Sequence, residues 1–251
     1  MEISAEILAA LFLAACIAGW VDAIAGGGGM IALPALLLAG APPAAALATN
    51  KLQGSFGTFT SALYFVRKGV VRLSDEWTAL LAICIGSVVG GWLLTQIEAG
   101  ALTLLIPVLL ILIGVYFLFF ARNLDEVREP RIGEKKFNTT VAPGLGFYDG
   151  FFGPGTGSFM STSLVLLRGM PVRDATAHAK LYNFASNIAA LIYFVFFGEI
   201  LWVLGATMIA GQILGATLGA RTAFRGGAKI IRPVTILVCF AMSAKALYDV
   251  I

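Results

Sequence analysis

Two lysines and two aspartates lie inside otherwise apolar stretches, and their positions make them the first candidates for chemistry. Lys51 and Lys180 each lie about two helical turns into an apolar segment, behind a Gly-x-Pro turn. Asp22 and Asp149 each stand four residues before a glycine-rich break. A charge deep in a membrane-spanning segment costs roughly 2.5–3.5 kcal/mol on insertion scales, so it usually faces a cavity and a partner. The pattern predicts a cationic site with nearby carboxylates, although a lysine near a helix start can also extend its amine to the membrane surface.

The two glycine-rich breaks predict where an anion binds. A helix that begins at such a break presents unpaired backbone N–H groups and the positive end of its dipole, and both attract oxyanions. The lack of bulky side chains lets a ligand approach the backbone. The candidate residues are Gly26, Gly27, Gly28 and Gly29 in the first break and Gly155, Thr156, Gly157 and Ser158 in the second. The alternative is a tight kink that serves only helix packing.

Polar residues on the helices that follow the breaks extend the candidate site. Asn50 and Gln53 flank Lys51, and Asn183 lies near the face of Lys180. We predict that these three amides contact the bound anion together with the two lysines. Hydrogen bonding between helices is an equally good explanation of each amide.

Three titratable residues are candidates for coupling. Asp22 and Asp149 can relay a proton, or they can accept hydrogen bonds from backbone N–H groups freed by the breaks. His178 is the only histidine of the chain and suits a proton shuttle, although a histidine with its hydrogen bonds satisfied at a helix interface is the alternative. The three cysteines lie singly and no Cys/His cluster exists, so the sequence predicts neither a metal site nor a cofactor.

The composition places these residues in a membrane protein. Of 251 residues, 59% are hydrophobic and 12% are charged, whereas soluble proteins average about 45–50% and about 25%. Too few charges remain to coat a soluble surface, which excludes soluble enzymes, nucleic-acid binders and disordered chains. The apolar stretches are about 20 residues long and lack strand alternation, so they predict helices in a lipid bilayer.

The sequence is internally duplicated. The stretch 19–26, GWVDAIAG, matches 146–153, GFYDGFFG. In both halves a short apolar run, a Gly-x-Pro turn and a lysine follow, and then further helices in the same order. We predict a first transmembrane repeat at residues 1–125, a cytoplasmic linker at 126–136 and a second transmembrane repeat at 137–251.

The positions of the basic residues predict that the two halves are inverted. Cytoplasmic loops carry an excess of Lys and Arg, and 14 of the 17 such residues lie in four connections. All four connections fall inside only if each glycine-broken segment enters the membrane and returns as a re-entrant helical hairpin. The predicted fold is an all-α polytopic membrane protein of two repeated halves in inverted topology, each with one such hairpin plus three spanning helices. The alternative is that each broken segment spans, because residues 7–25 are long enough to cross alone.

The motifs resemble the TauE/SafE family, also called the toluene sulfonate uptake permease family. The resemblance rests on residues 19–28, on 48–51 (ATNK) and above all on 146–157 (GFYDGFFGPGTG). It implies a secondary carrier of small sulfur-containing anions, such as sulfite or sulfonates, in a bacterial inner membrane. The second half departs from the pattern, because His178 stands where the first half has Thr49, and this leaves the role of His178 open.

These observations together predict a multi-pass inner-membrane transporter that moves a small anion by alternating access. An anion channel with uncoupled flux is the alternative. A membrane enzyme requires a convergent set of nucleophiles or metal ligands, and a single histidine with scattered cysteines does not supply one.

Overall fold

The computed structural model describes residues 4–119 and 129–224, and all regular structure in those ranges is helical. A π-helical turn, Phe137–Val141, joins α6 to α7. The helices in chain order are α1 (Ala5–Ala25), α2 (Gly29–Leu38), α3 (Pro43–Arg67), α4 (Leu73–Thr95), α5 (Ala99–Phe119), α6 (Glu134–Lys136), α7 (Ala142–Phe151), α8 (Thr156–Arg168), α9 (Val172–Phe197) and α10 (Trp202–Phe224).

The prediction of an all-α membrane protein is confirmed. Within the described ranges, α1, α4, α9 and α10 are long and apolar enough to cross a membrane. α3 is as long, with 25 residues, but carries more polar side chains. Helix α6 begins at Glu134, inside the predicted linker. Residues 126–128 of that linker and residues 225–251 of the predicted second repeat lie outside the described residues.

Glycines in the left-handed region of backbone space produce the two breaks. Gly26 ends α1 with φ 80°, and its N–H donates to the carbonyl oxygen of Asp22 over 2.7 Å. A Cβ on Gly28 would lie 2.6 Å from the Cβ of Asp22, so the chain doubles back along α1 here. In the second break, Gly153 and Gly155 have φ 98° and 82°. Glycine reaches these angles without the steric cost that other residues incur.

Glycines also bring α1 against α10 and α4 against α7. A Cβ on Gly215 of α10 would strike the carbonyl oxygen of Cys16, and a Cβ on Gly86 of α4 would strike that of Pro143. Small residues allow such close backbone approach between membrane helices. The two contacts occupy equivalent places in the predicted repeats, because 127 residues separate Cys16 from Pro143 and 129 separate Gly86 from Gly215. Two helices of the first predicted half therefore pack closely against helices of the second: α1 against α10, and α4 against α7.

The close approach of α4 and α7 predicts opposite effects for two alanine substitutions on α7. A Cβ on Gly146 would collide with the carbonyl group of Ile83, whereas a Cβ on Gly144 meets no atom within 4 Å. We expect Gly146→Ala to destabilise the protein by about 1–3 kcal/mol through overpacking. Gly144→Ala is expected to be neutral or slightly stabilising, because alanine favours helix over glycine by about 1 kcal/mol. Thermal unfolding in detergent compares the variants, and equal melting temperatures would contradict the packing described here.

The described helices form two bundles. The first bundle contains α1, α2, α3 and α10, and the second contains α4, α7, α8 and α9. Helices α3 and α9 pack against each other between them, and a Cβ on Gly54 of α3 would lie 3.5 Å from the side-chain oxygen of Asn187 of α9. Polar and charged side chains, including Lys51 and Asp149, are buried together with a large apolar core, whereas large apolar side chains such as Leu81, Trp92 and Phe196 are exposed on the outside. This is the polarity expected of a protein whose solvent is lipid.

The start of α6 lies beside the end of α8. The backbone N–H groups of Arg131 and Ile132 donate to the carbonyl oxygen of Leu167 over 2.9 and 3.1 Å. Close by, Arg168 forms an ion pair with Glu134 at 3.1 Å. The segment that contains the second break therefore begins and ends at the same end of the molecule.

Candidate functional site

The first buried ion pair joins the two predicted halves. Nζ of Lys51 on α3 lies 2.9 Å from Oδ1 of Asp149 on α7. Both residues are only 1% exposed. A Cβ on Gly153 would lie 2.6 Å from Nζ of Lys51, so the glycine of the second break makes room for the ammonium group. This pair also joins the first bundle to the second.

In the second ion pair, the lysine comes from the second predicted half and the aspartate from the first. Nζ of Lys180 on α9 lies 3.5 Å from Oδ2 of Asp22 on α1, and it also donates to the backbone carbonyl oxygen of Asp22. The other carboxylate oxygen of Asp22 accepts a hydrogen bond from the N–H of Gly28 over 3.2 Å. A carbonyl in the last turn of a helix attracts a cation, which adds to the attraction of the carboxylate. Each lysine is thus paired with the carboxylate of the opposite half.

The two glycine breaks touch. A Cβ on Gly26 would collide with the backbone of Gly157, and a Cβ on Gly157 would lie 2.6 Å from the Cα of Gly26. The hydroxyl of Ser158 donates to the carbonyl oxygen of Ala25. Gly29 lies against Pro154 in the same way, with 3.2 Å between a Cβ placed on it and the Cα of Pro154. The contact requires residues without side chains, and it fixes the positions of both aspartates relative to both lysines.

The helix starts behind the breaks use several of their N–H groups internally. The N–H of Met30 donates to the carbonyl oxygen of Gly27, and the N–H of Ser158 donates to that of Gly155, each over 3.0 Å. The hydroxyl of Thr156 donates to the carbonyl oxygen of Gly153 over 2.7 Å. These groups are therefore not free to bind an anion in this conformation, and the lysine ammonium groups become the principal positive charges of the site.

A small buried cavity lies at the contact between the bundles. Its volume is about 20 Å³, which is room for about one water molecule. Residues from both predicted halves line it: Asp22, Gly26, Gly29, Asn50, Lys51, Gln53, Gly54, Thr58, Asp149, Gly153, Asn183, Asn187 and Gln212. Amides and ion-paired side chains dominate the lining, so the cavity suits a small polar or charged ligand.

Half of the residues that the sequence nominates for the site line this cavity. The lining includes Asp22, Gly26, Gly29, Asn50, Lys51, Gln53, Asp149 and Asn183. The remaining nominated residues of the two breaks, Gly27, Gly28, Gly155, Thr156, Gly157 and Ser158, are not part of the lining, and neither is Lys180. The break residues form the contact behind the cavity, and Lys180 acts on it through Asp22.

Five lining residues were not nominated from the sequence: Gly54, Thr58, Gly153, Asn187 and Gln212. Thr58 and Asn187 belong to the polar faces of α3 and α9, one turn beyond the nominated residues. Gln212 stands alone in an apolar helix between the closely packed Gly211 and Gly215. A single amide in such a helix is the signal that should have marked it, because polar side chains in membrane helices face the protein interior.

His178 lies away from the cavity, at a junction of α9 and α4. Its Nε2 is 3.3 Å from Oε1 of Glu76, and its Nδ1 is 2.8 Å from the carbonyl oxygen of Asp174. The hydroxyl of Tyr182 donates to Oε2 of Glu76 over 2.5 Å. Both ring nitrogens of His178 thus have partners within the second bundle, as in the alternative of an interface histidine.

Comparison with known proteins identifies the family. A family model described as sulfite exporter TauE/SafE matches residues 11–246. The chain belongs to the TauE/SafE family. The resemblance seen in the two glycine-break motifs is therefore confirmed, and in the structure the two motifs contact each other.

Relatives in the TauE/SafE family are membrane transporters by name. A probable membrane transporter protein of Haemophilus influenzae is 47% identical over 249 residues, covering 99% of this chain and 98% of the relative. The probable membrane transporter protein YfcA of Escherichia coli is 44% identical over 247 residues, covering 98% and 92%. A third, ORF9 of Sinorhizobium sp, is 45% identical over 248 residues, covering 99% and 95%. No solved structure matches the chain.

Family membership and the apolar helices agree on a multi-pass membrane transporter of bacterial type. The family and its named relatives indicate transport of a small substrate rather than catalysis. Within residues 4–119 and 129–224, no group of His, Cys, Asp and Glu side chains is arranged to hold a metal ion.

Proposed function

We propose that the chain is a secondary transporter that moves a small sulfur-containing or organic anion, such as sulfite or a sulfonate, across the inner membrane by alternating access. The observation that carries the proposal is the pair of buried lysine–aspartate contacts that cross between the halves beside one cavity. Buried ammonium groups are costly in lipid unless they are paired or functional. An incoming anion can replace a carboxylate as the partner of a lysine.

The proposed transport step couples anion binding to movement of the bundles. Lys51 belongs to the first bundle and Asp149 to the second, while Lys180 belongs to the second and Asp22 to the first. Relative motion of the bundles must therefore stretch both ion pairs. An anion that takes the place of a carboxylate beside a lysine lowers the cost of that separation, because the ammonium group keeps a counter-charge while the displaced carboxylate takes up a proton and becomes neutral. Empty and loaded carriers then differ in how easily they move.

The conformation described here is proposed to be occluded. A cavity of about 20 Å³ holds about one water, so a sulfur oxyanion enters only after the bundles part. The side chains that close the cavity are the same amides and ion pairs that would contact the anion. Opening on one side at a time gives alternating access, with the touching glycine breaks as the point where the bundles approach most closely.

We further propose the inverted arrangement of a first repeat at residues 1–125, a linker at 126–136 and a second repeat at 137–251. The matched contacts of α1 with α10 and of α7 with α4 support a two-fold relation between the halves. The adjacent ends of α6 and α8 support a re-entrant hairpin. Basic residues at both of these ends, including Arg131 and Arg168, support a cytoplasmic location for them by the positive-inside rule.

Cysteine labelling tests this topology. We expect cysteines introduced at Ser4 and Pro42, which are exposed before α1 and at the start of α3, to react with an impermeant thiol reagent in intact spheroplasts. Cysteines at Lys135 and Pro171, exposed before α7 and at the start of α9, should react only after permeabilisation. The background lacks Cys16, Cys84 and Cys239. If Ser4 and Pro42 label from opposite sides, the first broken segment spans the membrane and the hairpin is wrong.

Counterflow in proteoliposomes tests the function itself. Vesicles preloaded with unlabelled sulfite should accumulate labelled sulfite transiently above equilibrium, with a rate that saturates, because a carrier exchanges one bound ion for another. The alternative, an anion channel, gives flux that grows linearly with concentration and shows no transient accumulation. Absence of any sulfite or sulfonate flux from active, folded protein would overturn the assignment of this substrate class.

A further inference from the structure

Three buried hydrogen-bond acceptors without a partner lie on the lining of the cavity between the ion pairs. Oε1 of Gln53, Oε1 of Gln212 and Oδ2 of Asp149 are buried and have no hydrogen-bond partner among the described residues. All three side chains line the cavity. The ammonium group of Lys51 lines the same cavity and is held on one side by Oδ1 of Asp149. The amide groups of Asn50 and Asn183 line it as well. An anion that only accepts hydrogen bonds would satisfy Lys51 and leave the acceptors without partners.

The orientation of the Gln53 amide follows from its neighbour. Nε2 of Gln53 donates to Oδ1 of Asn50 over 2.7 Å, which leaves Oε1 as the end of the amide without a partner. The residue is only 1% exposed, so bulk water does not compensate for the missing bond. A buried acceptor left unsatisfied costs about 1–3 kcal/mol.

The side chain of Gln212 occupies space that Gly57 of α3 leaves open. A Cβ on Gly57 of α3 would lie 2.5 Å from Cγ and 2.6 Å from Nε2 of Gln212, so α3 leaves space for this amide. Gln212 is 2% exposed and comes from α10, whereas Gln53 comes from α3. Two unpartnered amide oxygens from two helices therefore lie on the walls of one cavity.

We propose, on the basis of the proposed function, that the transported anion is a monoanion that carries a hydrogen-bond donor, such as a hydroxylated sulfonate or a protonated oxyanion. Its anionic oxygens lie at Lys51, and its O–H or N–H group donates a hydrogen bond that the side-chain oxygens of Gln53 and Gln212 share. The two lysines and two aspartates sum to zero charge, so a single negative charge disturbs the balance of the site less than a double charge does. Selectivity then comes from the glutamines rather than from the lysines.

Three sulfonates of equal charge test the proposal by isothermal titration of the purified protein. Ethanesulfonate lacks a donor, hydroxyethanesulfonate has one, and propanesulfonate has a methyl group in place of the hydroxyl. We expect hydroxyethanesulfonate to bind about tenfold more tightly than either of the others, because one hydrogen bond to a buried acceptor contributes about 1.4 kcal/mol.

The variant Gln53→Met removes one acceptor at nearly constant side-chain length. We expect it to reduce the preference for hydroxyethanesulfonate over propanesulfonate to less than about threefold, while propanesulfonate still binds. Gln96→Met, an exposed glutamine at the end of α4, is the matched control and should keep the preference of the parent protein.

Equal affinity for the three sulfonates overturns the proposal, because it means that the glutamine oxygens are satisfied by water or neighbours. A hydroxyl preference that survives in both Gln53→Met and Gln212→Met also overturns it. If none of the sulfonates and no sulfite binds to folded protein, the proposed function itself is wrong, which is a different result from loss of the preference alone.

Discussion

Lys51→Gln is expected to destabilise the protein by about 3–5 kcal/mol and to abolish measurable anion transport, because it leaves Asp149 as a buried carboxylate without a counter-charge. The side chains of Lys51 and Asp149, which form the ion pair at 2.9 Å, are each only 2% exposed. The stability loss appears as a lower melting temperature in detergent, and the transport loss appears as absent sulfite counterflow. Lys68→Gln, at an exposed lysine that caps the same helix, removes cation–π contacts with Tyr64 and Phe224. It should lower stability by only about 1 kcal/mol and leave transport unchanged.

A paired variant separates the structural effect from the functional one. Lys51→Gln combined with Asp149→Asn removes both charges and leaves no uncompensated ion, so we expect most of the lost stability to return. Transport should stay at least about tenfold below that of the parent, because the cation that holds the anion is still missing. Normal transport by the stable paired variant would mean that this ion pair only supports the fold.

Gly26→Ala is expected to prevent assembly of the two glycine breaks. The residue has φ 80°, and a Cβ there would collide with the backbone of Gly157. Gly69→Ala is the matched control, because Gly69 has φ 70° but a Cβ there meets no atom within 4 Å. Backbone strain alone costs about 1–2 kcal/mol in either variant, and the collision adds to it only at Gly26.

Expression in membranes and monodispersity in detergent measure the difference. We expect Gly69→Ala to be recovered near the level of the parent and Gly26→Ala to be lost or aggregated. Any Gly26→Ala protein that is recovered should not perform sulfite counterflow, because the breaks are held apart and the ion pairs are misaligned. Equal behaviour of the two variants would show that the breaks need not touch.

The all-helical fold class could be predicted from the composition and from the length of the apolar segments. Segments of about 20 residues in lipid have few alternatives to helices. The positions of Gly26 and Gly153 marked the breaks correctly, since four glycines in a row, or Gly-Pro-Gly, are incompatible with an uninterrupted helix. The nomination of Lys51 with Lys180, and of Asp22 with Asp149, came from their recurrence at matching places in the sequence rather than from hydropathy.

The pairing itself was beyond the reach of sequence patterns. Repeat matching relates Lys51 to Lys180 and Asp22 to Asp149, but it does not say whether a lysine meets the aspartate of its own half or of the other. That choice depends on the exchange of α4 and α10 between bundles, which is set by backbone contacts at Gly86 and Gly215. The isolation of Gln212 in an apolar helix indicated a buried amide, but its place beside the cavity depends on the exchange of α10.

The location of a bound anion tests the central claim, that the lysine–aspartate pairs at the touching breaks form the anion site. Hydrogen selenite is a protonated monoanion that resembles hydrogen sulfite, and its selenium scatters anomalously. In crystals of a cysteine-free variant soaked with it, we predict a selenium peak in the cavity lined by Lys51, Gln53 and Asp149, within hydrogen-bonding distance of the Lys51 ammonium group. A peak at Arg67 and Lys68 or at another surface cation, with no density in the cavity, would contradict the account.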